Sequence, residues 1–139
     1  MADDVFDRSN AVYVKPVPKK GRGVFANISF KIGDVVERAP TWGFDASQAE
    51  LLDRTGVFEY YFVRSDRHLR ENRLIGYVVF GVISLMNHSS NPNTEIVWTD
   101  TASGAWASSR AIKDISVDEE ITHRYTNVSA YPDTIVFID

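Results

Sequence analysis

Apolar residues in this 139-residue chain come in short runs, and nearly every run is closed within a few positions by glycine, proline or asparagine. No segment sustains the three-to-four-residue apolar period of a long amphipathic helix, so the chain reads as many short strands, a mainly β domain. Val12, Val14 and Val17 form an extended stretch interrupted by Pro16 and Pro18, which suits a sheet edge, where a missing N–H is tolerated. Lys19-Lys20-Gly21-Arg22-Gly23 reads as the turn into a second strand at Val24-Phe25-Ala26. A turn at Gly33 leads into a third strand expected to end at Pro40. Asp45 with Gln48 three residues on is a capping box for a short helix over Ala46–Leu52.

The aromatic run Phe58-Glu-Tyr-Tyr-Phe62 reads as a strand, and Arg64, Arg67, Arg70 and Arg73 at three-residue spacing as the solvated face of an exposed insertion. Residues 75–86 are apolar without clear period, so strand and short helix both stay open there. Residues 95–99 and 106–111 read as two strands joined by the turn-rich 100–104. The end of the chain reads as strand, polar loop and an apolar tail at 135–138.

A length of 139 residues and 15.7 kDa suits one domain, 1–139, with a core that needs no covalent staple. Cysteine is absent, which removes disulfides, thiolate metal sites and a cysteine nucleophile. A net charge of −4 disfavours nucleic acid and anionic membranes and makes a basic peptide the more compatible partner. The first residues lack a secretory pattern, and residues 74–86 are shorter than the roughly 20 needed to cross a bilayer. The expectation is a soluble intracellular protein.

Three separated segments carry the functional signal. Gly21-Arg22-Gly23 strips side chains from a strand turn, so main-chain groups there can approach a ligand closely. Asn87-His-Ser-Ser-Asn-Pro-Asn93 follows the apolar run directly, placing an amide and an imidazole where their hydrogen bonds must be satisfied; the amide, both donor and acceptor, could read a heteroaromatic edge. Asp118-Glu-Glu-Ile-Thr-His-Arg-Tyr125 places acidic residues at a turn entering a strand.

Together with Lys20-Gly-Arg-Gly-Val-Phe-Ala26, Ile32-Gly-Asp-Val-Val-Glu37 and Ile112-Lys-Asp-Ile115, and in this chain order, those segments resemble a SET-domain protein lysine methyltransferase of the compact stand-alone kind found in viruses and bacteria. The resemblance spans about residues 12–127 and leaves 128–139 as an apolar tail. It implies small curled sheets, a C-terminal pseudoknot, few short helices, and S-adenosylmethionine as cofactor, with S-adenosylhomocysteine as product. It also implies a lysine-bearing protein or peptide as substrate, a basic tail such as a histone's being one form. The implied cofactor-binding residues are Lys20, Gly21, Arg22, Gly23, Tyr60, Asn87, His88 and Tyr125, with Tyr125 and Tyr60 catalytic and Tyr61 the alternative to Tyr60. Glu119 and Glu120 would support the knot, and no metal is implied.

Methyl transfer from a sulfonium to an amine needs alignment and a neutral amine rather than a metal. Tyrosine walls suit it, because they exclude water and orient the amine without a carboxylate that would hold it charged. Two features depart from the family. No cysteine is available for a zinc segment to close the lysine channel, so the tail or a second subunit of a homodimer would have to close it. Where a further tyrosine often follows the Pro-Asn, this chain has Thr94-Glu95-Ile96-Val97-Trp98. That altered wall motivates the alternative, a SET-like module that binds peptide or cofactor with weak turnover. A hydrolase using His68, His88 and His123 on a metal is the remote third reading, since these lack ligand spacing.

Overall fold

The computed structural model describes residues 10–64 and 74–125. Its strands are β1 (Val12–Val17), β2 (Gly21–Ala26), β3 (Val35–Phe44), β4 (Gly76–Val79), β5 (Asn87–His88), β6 (Thr94–Thr101), β7 (Gly104–Ala111) and β8 (Glu120–His123). They build two four-stranded sheets, ordered β1-β2-β8-β5 and β4-β3-β7-β6. The fold is therefore mainly β, in small sheets. Helix α1 (Ala46–Leu52) has the capping box read from Asp45 and Gln48, each meeting the other's main chain at 3.0 Å.

Several local readings shift. The β1–β2 turn closes on residues 18–20, with Lys19 at φ +67° and Gly21 at +79°, so Gly21-Arg22-Gly23 already belongs to β2. Strand β3 runs through Pro40 to Phe44. It pairs with β7 as far as Pro40 and with β4 from Thr41, so the proline sits where the strand changes partners and its missing N–H interrupts neither ladder. Residues 58–62 are not a strand: Thr55 accepts from Val57 and starts a 3-10 turn over Gly56–Glu59, and only Phe62 bridges to Tyr77. Of the spaced arginines, Arg64 is buried against Asp100 at 2.8 Å and lies over Tyr77 and Trp98, contrary to a solvated face; Arg67, Arg70 and Arg73 lie outside the described residues. The ambiguous 75–86 segment divides into β4 and a 3-10 turn over Val82–Leu85.

The core lies between the sheets, where Val24, Ala26, Phe30, Val36, Ala39, Ile83, Met86, Ala107, Ile115 and Ile121 are all buried. β2 carries four successive buried residues, Gly23, Val24, Phe25 and Ala26, because β1 and β8 flank it and the core covers it. β8 alternates, with Ile121 and His123 turned inward. No helix among the described residues is long and apolar enough to cross a membrane.

Candidate active site

Strand β8 organises the site by pairing antiparallel with β2 at Val24 and Phe25 and parallel with β5 at Asn87 and His88. The segment after β5 wraps it. Asn93, nearly buried, accepts from the Thr122 N–H at 2.9 Å and donates to the Glu120 carbonyl at 2.8 Å, so a single amide grips both sides of one peptide run. Thr94 donates to the Thr122 carbonyl at 2.7 Å, and the Ser89 N–H to the His123 carbonyl at 3.0 Å. Glu119 accepts from the Ser116 N–H at 3.0 Å and from Asn93 at 3.2 Å.

Asn87 joins this crossing to β2. Its amide nitrogen donates to the Arg22 carbonyl at 3.0 Å and to Glu120 at 2.7 Å. Arg22 can offer that carbonyl because its partner across β1–β2 is Pro16, which has no N–H to give; a pair that exchanges no hydrogen bonds turns its main-chain groups away from each other. Gly23 is needed at the same place. A Cβ there would stand 2.7 Å from the Glu120 carboxylate, 2.9 Å from the Asn87 amide and 2.9 Å from Val17.

Met86 precedes β5 in extended backbone, where successive side chains face opposite ways. Met86 lines a cavity of about 590 Å³ bounded by Phe58, Tyr60, Tyr61, Phe62, Trp98 and Tyr125 among others. That volume is within the range of small-ligand pockets. Tyr125 donates its hydroxyl to the Met86 carbonyl at 3.0 Å and its N–H to Nδ1 of His88 at 3.0 Å, which leaves the proton of neutral His88 on Nε2. Tyr61 is tied to Asp53 at 2.8 Å, whereas Tyr60 is about half exposed. His123 lies in the wall, stacked on Phe62 at 5.3 Å. Burial pushes its imidazole down to about 4; the Arg124 main chain opposes that shift and His88 adds to it.

The structure thus brings Arg22, Gly23 and Asn87 into one cluster, and Tyr60 and Tyr125 into one cavity, with His88 linking the two through Tyr125. Lys20 ends the turn and Gly21 opens β2 beside the first cluster, the Lys20 N–H closing that turn on the Val17 carbonyl. The substituted wall does face the cavity, through Thr94, Glu95, Ile96 and Trp98. Sequence reasoning missed the grip of Asn93 and the burial of His123. Among the described residues no three His, Cys, Asp or Glu side chains gather as a metal-ligating group, and His68 lies outside them.

A family model described as the SET domain matches residues 21–126. Among solved structures, a Plasmodium falciparum protein assigned as a histone methyltransferase is similar, with a TM-score of 0.67 and 21% identity over 86% of this chain and 96% of that one. The Neurospora SET domain protein DIM-5, a histone lysine methyltransferase, is similar with a TM-score of 0.66 and 19% identity, over 93% of this chain and 57% of that one. No curated protein matches the sequence. The family match spans the glycine strand, the Asn87-His88 crossing and Tyr125 alike, and the chain belongs to the SET-domain family.

Proposed function

We propose that the chain is an S-adenosylmethionine-dependent methyltransferase acting on the side-chain amine of a protein lysine. The observation that carries this reading is two-sided: Asn87 turns to the exposed main chain of β2 while Met86, beside it, lines an aromatic cavity. A cofactor on one side could then meet a lysine entering from the other. The threading of β8 between β2 and β5 under the grip of Asn93 supports the family's pseudoknot.

The residues fit the cofactor. The Arg22 main chain is turned outward, the space a Cβ would take at Gly23 is already filled by Glu120 and Asn87, and Lys20 and Gly21 lead directly into this strand. Bound there, S-adenosylmethionine supplies a methyl on a positively charged sulfonium. Tyr60 and Tyr125 line the cavity and would bound the path of the amine. The protein's task is to deliver that amine uncharged. Deprotonating a free lysine at pH 7 costs about 4.6 kcal/mol, and a dry aromatic wall lowers that cost by disfavouring the ammonium. Asp53, Glu59 and Glu95 also line the cavity, with Arg124 as the cation there; they would attract a basic peptide and would oppose deprotonation of an amine set directly beside them.

Mass spectrometry of lysine-rich proteins incubated with the protein and S-adenosylmethionine tests the reading; methylated lysines support it. The non-tyrosine wall of Thr94, Glu95 and Ile96 favours one second reading, a module that binds with weak turnover. Calorimetric binding of S-adenosylhomocysteine without transfer to any protein selects the module. Closure by the tail or by a homodimer remains part of the proposal, because residues 128–139 lie outside the described ones. Deleting residues 131–139 should raise the apparent peptide KM and spare cofactor affinity, whereas a truncated protein that is monomeric and fully active removes the tail from the site.

A further inference from the structure

The charges around the cavity are sorted by segment. Asp53, the C-cap of α1, and Glu59, which ends the 3-10 turn, line it from the stretch that follows β3, and both are exposed. Asp53 accepts from the Tyr61 hydroxyl at 2.8 Å, a neutral donor that leaves its charge in place. Arg124 lines the cavity from the residue after β8. It too is exposed, and its guanidinium donates to the Ser90 carbonyl at 2.7 Å, again a neutral partner. The turn that holds Ser90 also brings Pro92 into the wall, and Lys113 donates its Nζ to Asn91 there at 2.7 Å, so a second cation backs the Arg124 side. Glu95 differs, because Arg110 on the neighbouring strand holds its carboxylate at 2.6 Å and matches its charge. The acids connect to the cation through rings: Asp53 meets Tyr61, Phe62 beside it stacks on His123 at 5.3 Å, and His123 meets Tyr125, the residue after Arg124, at 5.0 Å.

We infer that this mouth selects substrates by the charges flanking the target lysine: a basic residue on the side of Asp53 and Glu59, and an acidic residue, met by Arg124, on the other. The inference rests on the lysine methyltransferase reading. Asp53 and Glu59 would serve the target amine badly, since an ionised carboxylate beside it stabilises the ammonium and opposes transfer. A neighbouring arginine of the same peptide raises no such conflict, because it stays charged throughout. Arg124 acts in the converse sense. It repels a cation placed on its side and offers a carboxylate the planar fork of donors that suits two oxygens at once, with one of its nitrogens on Ser90. The protein's net charge of −4 would by itself favour basic sequence on both flanks, and Arg124 is the local exception. A uniformly basic tail therefore gains on one side and is penalised on the other, so selection comes as much from what Arg124 rejects as from what it attracts.

The test uses the full chain saturated with S-adenosylhomocysteine and four peptides with a central lysine, flanked by Arg on both sides, by Glu on both sides, or by Arg and Glu in either order. Calorimetry at low salt should rank one mixed order tightest, about fivefold above the all-Arg peptide, the worth of one exposed ion pair at the upper end of its range. The reversed order, which sets like charges together on both sides, should bind weakest, and added salt should narrow all the differences. Arg124→Glu should make the all-Arg peptide the tightest. Asp53→Asn combined with Glu59→Gln should lose the preference for Arg on that side and keep the preference for Glu on the other. Equal affinity for the four peptides, tightest binding of the all-Arg peptide, binding of none, or an unchanged ranking in Arg124→Glu overturns the inference, and the wild-type ranking decides it even where a variant fails to fold. With S-adenosylmethionine in place of its product, methyl transfer to all four peptides at one rate refutes the charge selection alone. The expected ranking in binding with no transfer to any peptide refutes the enzymatic reading and leaves the selection standing.

Discussion

Gly23→Ala is the smallest perturbation that reaches the crossing of β2, β5 and β8. The added methyl would lie 2.7 Å from a Glu120 oxygen and 2.9 Å from both the Asn87 nitrogen and a Val17 methyl, inside van der Waals contact on every count. Two of these atoms end flexible side chains and could retreat. However, they are bonded to each other at 2.7 Å, and Asn87 also holds the Arg22 carbonyl at 3.0 Å, so retreat breaks a charge-assisted bond. Overpacking costs typically about 1–3 kcal/mol and losing a hydrogen bond to a charged group about 1.5–3. Because the chain will take whichever is cheaper, about 2 kcal/mol is expected, or roughly 4–8 °C in Tm for a domain of this size. Urea unfolding measures the stability and calorimetry with S-adenosylhomocysteine the affinity, which should fall at least tenfold if Asn87 moves. Gly21→Ala is the control: its Cβ would meet nothing within 4 Å, yet φ of +79° strains any L residue by about 1–2 kcal/mol. It should lose stability with little change in affinity. Unchanged stability and affinity in Gly23→Ala would refute the reasoning, since no crowding of that size could then exist at this crossing.

Asn93→Ala strands the Thr122 N–H and the Glu120 carbonyl together, so urea unfolding should show a loss of about 2–4 kcal/mol; a loss under 1 would mean that water replaces the amide. Tyr125→Phe removes the hydroxyl bonded to Met86 and should keep cofactor affinity while losing most methyl transfer; an unchanged single-turnover rate removes Tyr125 from the catalytic residues. His123 is held near 4 in the fold against about 6.5 when unfolded, so the unfolded chain binds the extra proton between those values. That contribution, up to about 3 kcal/mol, is complete above pH 6.5 and disappears as pH falls through 4. Stability measured from pH 7 to 4 should therefore fall less steeply in His123→Phe than in the wild type, and identical slopes would show that the buried ring does not set this dependence.

How much of this was legible in sequence depends on whether the cause was local. The Asp45 and Gln48 cap acts within one turn, and the structure shows the helix at the expected residues. The strand expected at 58–62 failed because aromatic content reports burial as much as backbone shape; Tyr61 packs edge-on to Phe44 and Phe58 from an irregular segment. Pro40 misled for the converse reason. A proline ends a strand only where an N–H is required, and which neighbour β3 has at that residue is decided by strands near 79 and 106. At the site, the motifs located Asn87, Gly23 and Tyr125 but not the bonds there, since those join residues 33 to 65 positions apart in pairs such as Asn87 with Arg22 and Tyr125 with Met86. His123 had a signal that went unused. The alternation Glu-Ile-Thr-His places it on the face of Ile121, and an inward imidazole there needs either a partner or a reason to lack one.

The same arrangement explains why stability and ligand binding should be hard to separate here. The polar groups of the crossing satisfy one another: Asn87 with Arg22 and Glu120, Asn93 with Glu119, Glu120 and Thr122, His88 with Tyr125. Each bond joins segments distant in sequence, and all but the one from Asn87 to Arg22 need the chain around β8 to be in place. A variant that loosens the crossing thereby alters the Arg22 edge on one side and the Tyr125 wall on the other. His123 lies outside this polar network, but its burial against Phe62 ties it to the same wall. Variants at Asn87 or Asn93 therefore cannot separate ligand binding from folding.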